Sequence, residues 1–179
     1  MKTCFFVTPI GNEGSTDRKR ADDALELFLE PICTPLGFEV VRVDKQNTVD
    51  KINEAILEHL SSSNLVIVDM TTHNPNVFYE FGYRHALDLP LIPIIEKDTD
   101  DIPFDVYNLR TITYSMQARD LAGSKQRLKE TIQSLTFEDI NTEDVVGKNE
   151  NSIPLLKSMI SWRKSLLLSR KETLKILIS

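Results

Sequence analysis

Short runs of consecutive apolar residues alternate along this chain with longer stretches in which apolar residues recur every three or four positions. The runs fall at about 2–8, 38–43, 65–69, 91–95 and 110–114 and are rich in Val, Ile and Phe. They mostly lack a strict polar alternation, which is the pattern of strands buried on both faces of a parallel sheet. Between them the spacing predicts helices over about 16–35, 48–61, 76–88 and 117–135. The second is the cleanest: Ile52, Ala55, Ile56 and Leu60 recur at helical spacing behind Thr48 as a cap. The first meets Pro31 and Pro35, so it is expected to kink or break near Glu30 before Gly37 turns the chain into the second strand.

Strands alternating with helices over residues 1–135 predict an α/β domain, a doubly wound parallel sheet covered by helices on both faces. Because crossovers between parallel strands are right-handed, the expected arrangement is flavodoxin-like, five strands in the order 2-1-3-4-5. Residues 136–152 are polar and acidic with no apolar period and read as a linker or surface loop. Residues 153–179 read as one C-terminal amphipathic helix, with Leu156, Ile160, Leu167, Leu174 and Ile178 near one stripe. That stripe needs a partner, either the domain itself or a second subunit.

Composition narrows the class. With 41% hydrophobic and 27% charged residues in 179, the chain suits one globular domain and an appendage. No apolar run approaches the length of a membrane helix, and the first residues read as a strand rather than a secretory signal, so a cytoplasmic protein without a membrane role is expected. Cys4 and Cys33 are too few for a disulfide framework and lack metal-ligand spacing, so no metal site is expected. The net charge of −6 is uneven: residues 151–179 hold six Lys or Arg against Glu172, +5, which leaves −11 on the remainder. An acidic body argues against nucleic acid as a partner, while the opposite charges of tail and body favour a homodimer or higher oligomer.

Chemistry concentrates where the predicted strands end. The segment Asn74-Pro75-Asn76-Val77-Phe78-Tyr79-Glu80 follows the run 65–69 and places a carboxylate, Glu80, on a helix just past the carboxyl end of a buried strand, the usual ligand crevice of such sheets. Beside Val77, Phe78 and Phe81 it would be partly desolvated and able to act as nucleophile, acid or base. The same residue type in a first helical turn is also a common partner of the helix dipole. The loop Thr8-Pro9-Ile10-Gly11 through Arg18 offers backbone N–H groups, a helix start at Ser15 or Thr16, and fixed charge at Arg18 and Arg20, which suits a phosphate or a ribose. Asp69 either caps the turn at Thr71-Thr72 or holds a ligand hydroxyl, and His85 and Arg84 follow Glu80 within five residues.

Taken together, Thr8-Pro9-Ile10-Gly11, Arg42-Val43-Asp44, Asp69, the segment from Asn74 through Ala86, and Pro103-Phe104-Asp105 through Arg110 resemble the nucleoside 2-deoxyribosyltransferase-like superfamily, whose relatives include nucleotide N-glycosidases and TIR-domain NAD hydrolases. The resemblance covers about residues 1–135. It implies cleavage of an N-glycosidic bond with Glu80 attacking the anomeric carbon, and a substrate pocket drawn from Thr8, Pro9, Ile10, Gly11, Arg18, Asp44, Asp69, Asn74, Asn76, Tyr79 and His85. It implies no cofactor, a small-molecule nucleotide or NAD as substrate, a site completed in some relatives by a neighbouring subunit, and for some relatives a role in anti-phage defence. One departure stands out: where the transferases carry an acid that handles the nucleobase, this chain has Asn74. A leaving group already cationic, such as the nicotinamide of NAD, needs no such acid, which tilts the reading toward NAD or a related nucleotide. The competing expectation is a non-catalytic nucleotide-binding module that assembles through its C-terminal helix.

Overall fold

In a computed structural model, residues 1–45, 52–99 and 110–137 are described. Five strands, β1 (Lys2–Val7), β2 (Phe38–Val41), β3 (Leu65–Asp69), β4 (Leu91–Glu96) and β5 (Ile112–Tyr114), form a sheet in the order β2-β1-β3-β4-β5 with every neighbouring pair parallel. This is the expected 2-1-3-4-5 order. The crossovers are α1 (Thr16–Asp23) with α2 (Glu30–Cys33), then α3 (Ile52–Ser62) and α4 (Pro75–Ala86), while α5 (Ala118–Ser134) follows the last strand.

Strand parity divides the core into two layers, since successive side chains point to opposite faces. Cys4, Phe6, Leu65, Ile67, Ile92, Ile94 and Tyr114 face a layer closed by Ala24, Phe28, Ile32, Leu128 and Ile132, from the α1–α2 segment and α5. Phe5, Val7, Val66, Val68 and Met70 face the other, closed by Leu60, Val77 and Phe81 from α3 and α4. β3 runs through the middle with all five residues buried, which explains its unbroken apolar run.

Several boundaries differ from the sequence pattern for local reasons. The first helix does not break at Pro31. It runs on as a π-helical turn, Ala24–Leu29, in which the Glu30 N–H reaches back to the Leu25 carbonyl. Pro31 can neither donate to the carbonyl four residues earlier nor pack against it, and the widened turn absorbs both effects. Helical backbone then continues through Thr34–Leu36 to Gly37, whose φ of +86° is open to glycine at little cost. β2 ends at Val41 rather than Val43, because Asp44 folds back on Arg42 in a tight turn, Val43–Lys45. β5 begins at Ile112. Thr48, the loop motif from Pro103, the linker from residue 138 onward and the helix expected over 153–179 lie outside the described residues.

At the amino edge of the sheet Arg84, fully buried, has no acidic partner among the described residues and donates to three backbone carbonyls: Leu60 at 2.7 Å, Ser63 at 2.8 Å and Pro90 at 3.1 Å. It ties α4 to the loops that start β3 and β4, leaving the opposite end of α4 to face the carboxyl edge.

Candidate active site

The carboxyl edge holds a cleft of about 160 Å³ at the ends of β1 and β2, walled by Thr8, Pro9, Ile10, Asn74, Asn76 and Glu80, with Arg42, Val43 and Val77 behind. Helix α4 points its start at this cleft for reasons visible in sequence. Pro75 takes the first helical position, where its missing N–H is no loss, and the Asn74 side chain caps by accepting the Asn76 N–H at 2.9 Å. Glu80 follows one and a half turns in. It is only 8% exposed yet lines the cleft. A carboxylate so placed is shielded from water and faces the cleft.

The loop after β1 closes the cleft from the other side. Ser15 caps α1, its Oγ accepting the Arg18 N–H at 3.1 Å. Gly11 lies against that cap: a Cβ there would collide with Ser15 Oγ and come within 2.9 Å of Asp17 Cβ. Glycine is therefore required by close approach, and Gly11 acts on the loop's course rather than on the cleft wall.

Arg42 forms the floor. Its side chain is 1% exposed and fixed by a fork to Asp44, Nε to Oδ1 at 2.6 Å and a terminal nitrogen to Oδ2 at 3.0 Å, with Asp22 on the same terminal nitrogen. Burial opposes the charge on Arg42, but the hydrogen bonds to Asp44 and Asp22 outweigh it and hold the pKa above the ordinary arginine value. Arg18 joins the same network, 2.8 Å from Asp44 and 3.5 Å from Asp22. Two arginines and two aspartates thus balance, and both Arg18 and Asp44 are engaged within the protein.

Asp69 takes the other face of the sheet. It shares parity with Leu65 and Ile67 and is fully buried. One oxygen accepts the Thr71 N–H at 3.0 Å and the Thr71 hydroxyl, and the other accepts the hydroxyls of Thr8 at 3.3 Å and Tyr114 at 3.4 Å. The Thr71 oxygen also accepts the Glu96 N–H at 3.0 Å, so the turn, β4 and Asp69 form one relay. Burial, with Asp69 beside it, pushes the Tyr114 hydroxyl far above its usual range and keeps it protonated as a donor.

Of the residues singled out in sequence, the structure brings Thr8, Pro9, Ile10, Asn74, Asn76 and Glu80 to one cleft. Asp69 reaches it only through Thr8. Tyr79 is half-buried beside Glu80 on α4 but is not part of the described wall, and exposed His85 stacks on Phe81 in the last turn of α4, with ring centroids 5.8 Å apart. Sequence reasoning missed Arg42 as part of the wall. The available signal was a lone arginine between Val41 and Val43 at the end of a strand. Among the described residues no cluster of His, Cys, Asp and Glu could hold a metal ion, and no helix is long and apolar enough to cross a membrane.

Among solved structures, the chain is similar to a 2-deoxyribosyltransferase from the psychrotolerant bacterium Bacillus psychrosaccharolyticus, with a TM-score of 0.48 and 15% identity over 69% of this chain and 90% of that one. No protein-family model matches the sequence, and no curated protein does.

Proposed function

We propose that this protein is an N-glycosidase that cleaves the base–ribosyl bond of a nucleotide or an NAD-type dinucleotide, with Glu80 as nucleophile. The observation that carries the reading is Glu80 itself, a carboxylate 8% exposed in the wall of a carboxyl-edge cleft. A cleft of about 160 Å³ has room for a ring the size of a sugar beside Glu80. As the bond from C1′ to the base nitrogen lengthens, its electron pair leaves with the base and positive charge builds on the sugar. Glu80 stabilises that charge and then bonds to C1′. Water resolves the glycosyl-enzyme by attacking C1′ and restores the carboxylate; the proton it loses goes to solvent when the base is nicotinamide and balances the proton that a departing nucleobase anion takes up.

Asn74 supports the choice of leaving group. Its side-chain oxygen accepts the Asn76 N–H, and an amide has no acidic proton to lend. Nicotinamide departs from NAD as a neutral molecule without being protonated, whereas most nucleobases benefit from an acid. The test is incubation with NAD, NADP and a panel of nucleotides and deoxynucleotides, with released base followed by chromatography and mass spectrometry. Base release that disappears in Glu80→Gln is expected. Release undiminished in that variant would refute the assignment.

A further inference from the structure

Arg20, in the second turn of α1, carries a guanidinium that the site described above does not use. Its side chain is 16% exposed, and its three guanidinium nitrogens are closed to solvent and lack hydrogen-bond partners. The nearest acid, Asp69, lies 3.9 Å away, beyond hydrogen-bond reach. Asp69 has no acceptor capacity left, because Thr71, Thr8 and Tyr114 already fill its two oxygens with four donors. Glu96 is the second nearby acid. Burial raises its carboxyl pKa while Arg20 draws it down and Asp69 pushes it up. Arg20 therefore has counter-charge and lacks acceptors. Buried donors left unmatched are strongly unfavourable until something supplies an oxygen.

Thr8 connects this place to the cleft. It lines the wall shared with Glu80, and its hydroxyl donates to the Asp69 oxygen that faces Arg20. The base is the part of the substrate that a sugar seated at Glu80 leaves for neighbouring residues to recognise. Two acids beside one arginine disfavour a phosphate or carboxylate here, and an uncharged oxygen suits the balance. We infer that Arg20 recognises the leaving base, its guanidinium donating to an uncharged carbonyl, either the carboxamide of a nicotinamide ring or the 6-oxo group of a purine. The inference rests on the glycosidase reading in placing the sugar at Glu80.

The experiment is calorimetric and uses Glu80→Gln protein, so that no turnover intervenes. One arm compares NAD with its thioamide analogue, and the other compares guanosine monophosphate with its 6-thio analogue. Sulfur is a weak acceptor, so the substitution is expected to weaken binding about tenfold in the arm that matches the true base, with no such difference after Arg20→Met. ADP-ribose, which has no leaving base, is expected to bind both proteins equally. A sulfur penalty absent from both arms, a penalty that survives Arg20→Met, or equal weakening of ADP-ribose by Arg20→Met would overturn the assignment. Should Arg20→Met fail to fold, Arg20→Lys keeps the charge facing Asp69 and is expected to cut the penalty to about threefold; an unchanged penalty would overturn it. Protein that shows this binding pattern and yet releases no base refutes the reaction and leaves the Arg20 assignment standing.

Discussion

At the scale of single residues the carboxyl edge sets fully matched charges beside buried donors that lack a partner. Asp69 is matched, with four donors on two buried oxygens. Asp69→Asn would turn an amide N–H₂ toward groups that donate, and is expected to lower unfolding free energy by about 2 kcal/mol. Urea denaturation checks this, and an unchanged midpoint would show that the relay through Thr71 contributes nothing. His59 gives a pH prediction. It stacks on Phe5 with centroids 5.0 Å apart, and burial lowers its pKa below 6.5. Between the folded and unfolded values the unfolded chain binds the proton and the folded one does not, so stability falls as pH drops below 6.5. His59→Phe is expected to flatten the decline between pH 6.5 and 5 in thermal melts; equal slopes in the two proteins would contradict it.

At the scale of elements the sheet was legible because β1, β3 and β4 are buried on both faces and therefore appear as unbroken apolar runs. The start of α4 was legible too, since a cap, a proline and an apolar period coincide at Asn74, Pro75 and Val77. What the sequence hides depends on contacts between distant segments. Arg42 joins the site through Asp22, twenty residues away, and nothing local announces that pairing. Asp69 and Glu80 are both carboxylates near the end of β3, but parity sends Asp69 to one face while α4 covers the other, and no sequence period reports which face a crossover helix takes. The staple at Arg84 belongs to this scale. Arg84→Met would strand three buried carbonyls and is expected to cost about 3 kcal/mol of stability. Base release per folded molecule should stay unchanged, since Arg84 works at the amino edge; a fall beyond tenfold in that specific activity would place it in the site.

At the scale of the whole molecule, charge is the sequence's main statement: −11 on residues 1–150 against +5 on 151–179. If that asymmetry drives self-association, light scattering at 50 mM salt is expected to report a dimer or larger species that dissociates as salt approaches about 1 M, where screening acts within roughly 3 Å. A monomer at every salt concentration would remove oligomerisation from the account. By the proposed reading, the sheet, its two layers and the cleft at its carboxyl edge hold one carboxylate, sheltered from water, beneath a sugar. The most direct test is the rate of base release from the best substrate by Glu80→Gln beside the parent, with both proteins shown to be equally folded by circular dichroism. A loss of about a thousandfold or more is predicted, since the amide can neither form the bond to C1′ nor carry the charge that stabilises it. A rate within tenfold of the parent would mean that Glu80 is not the nucleophile.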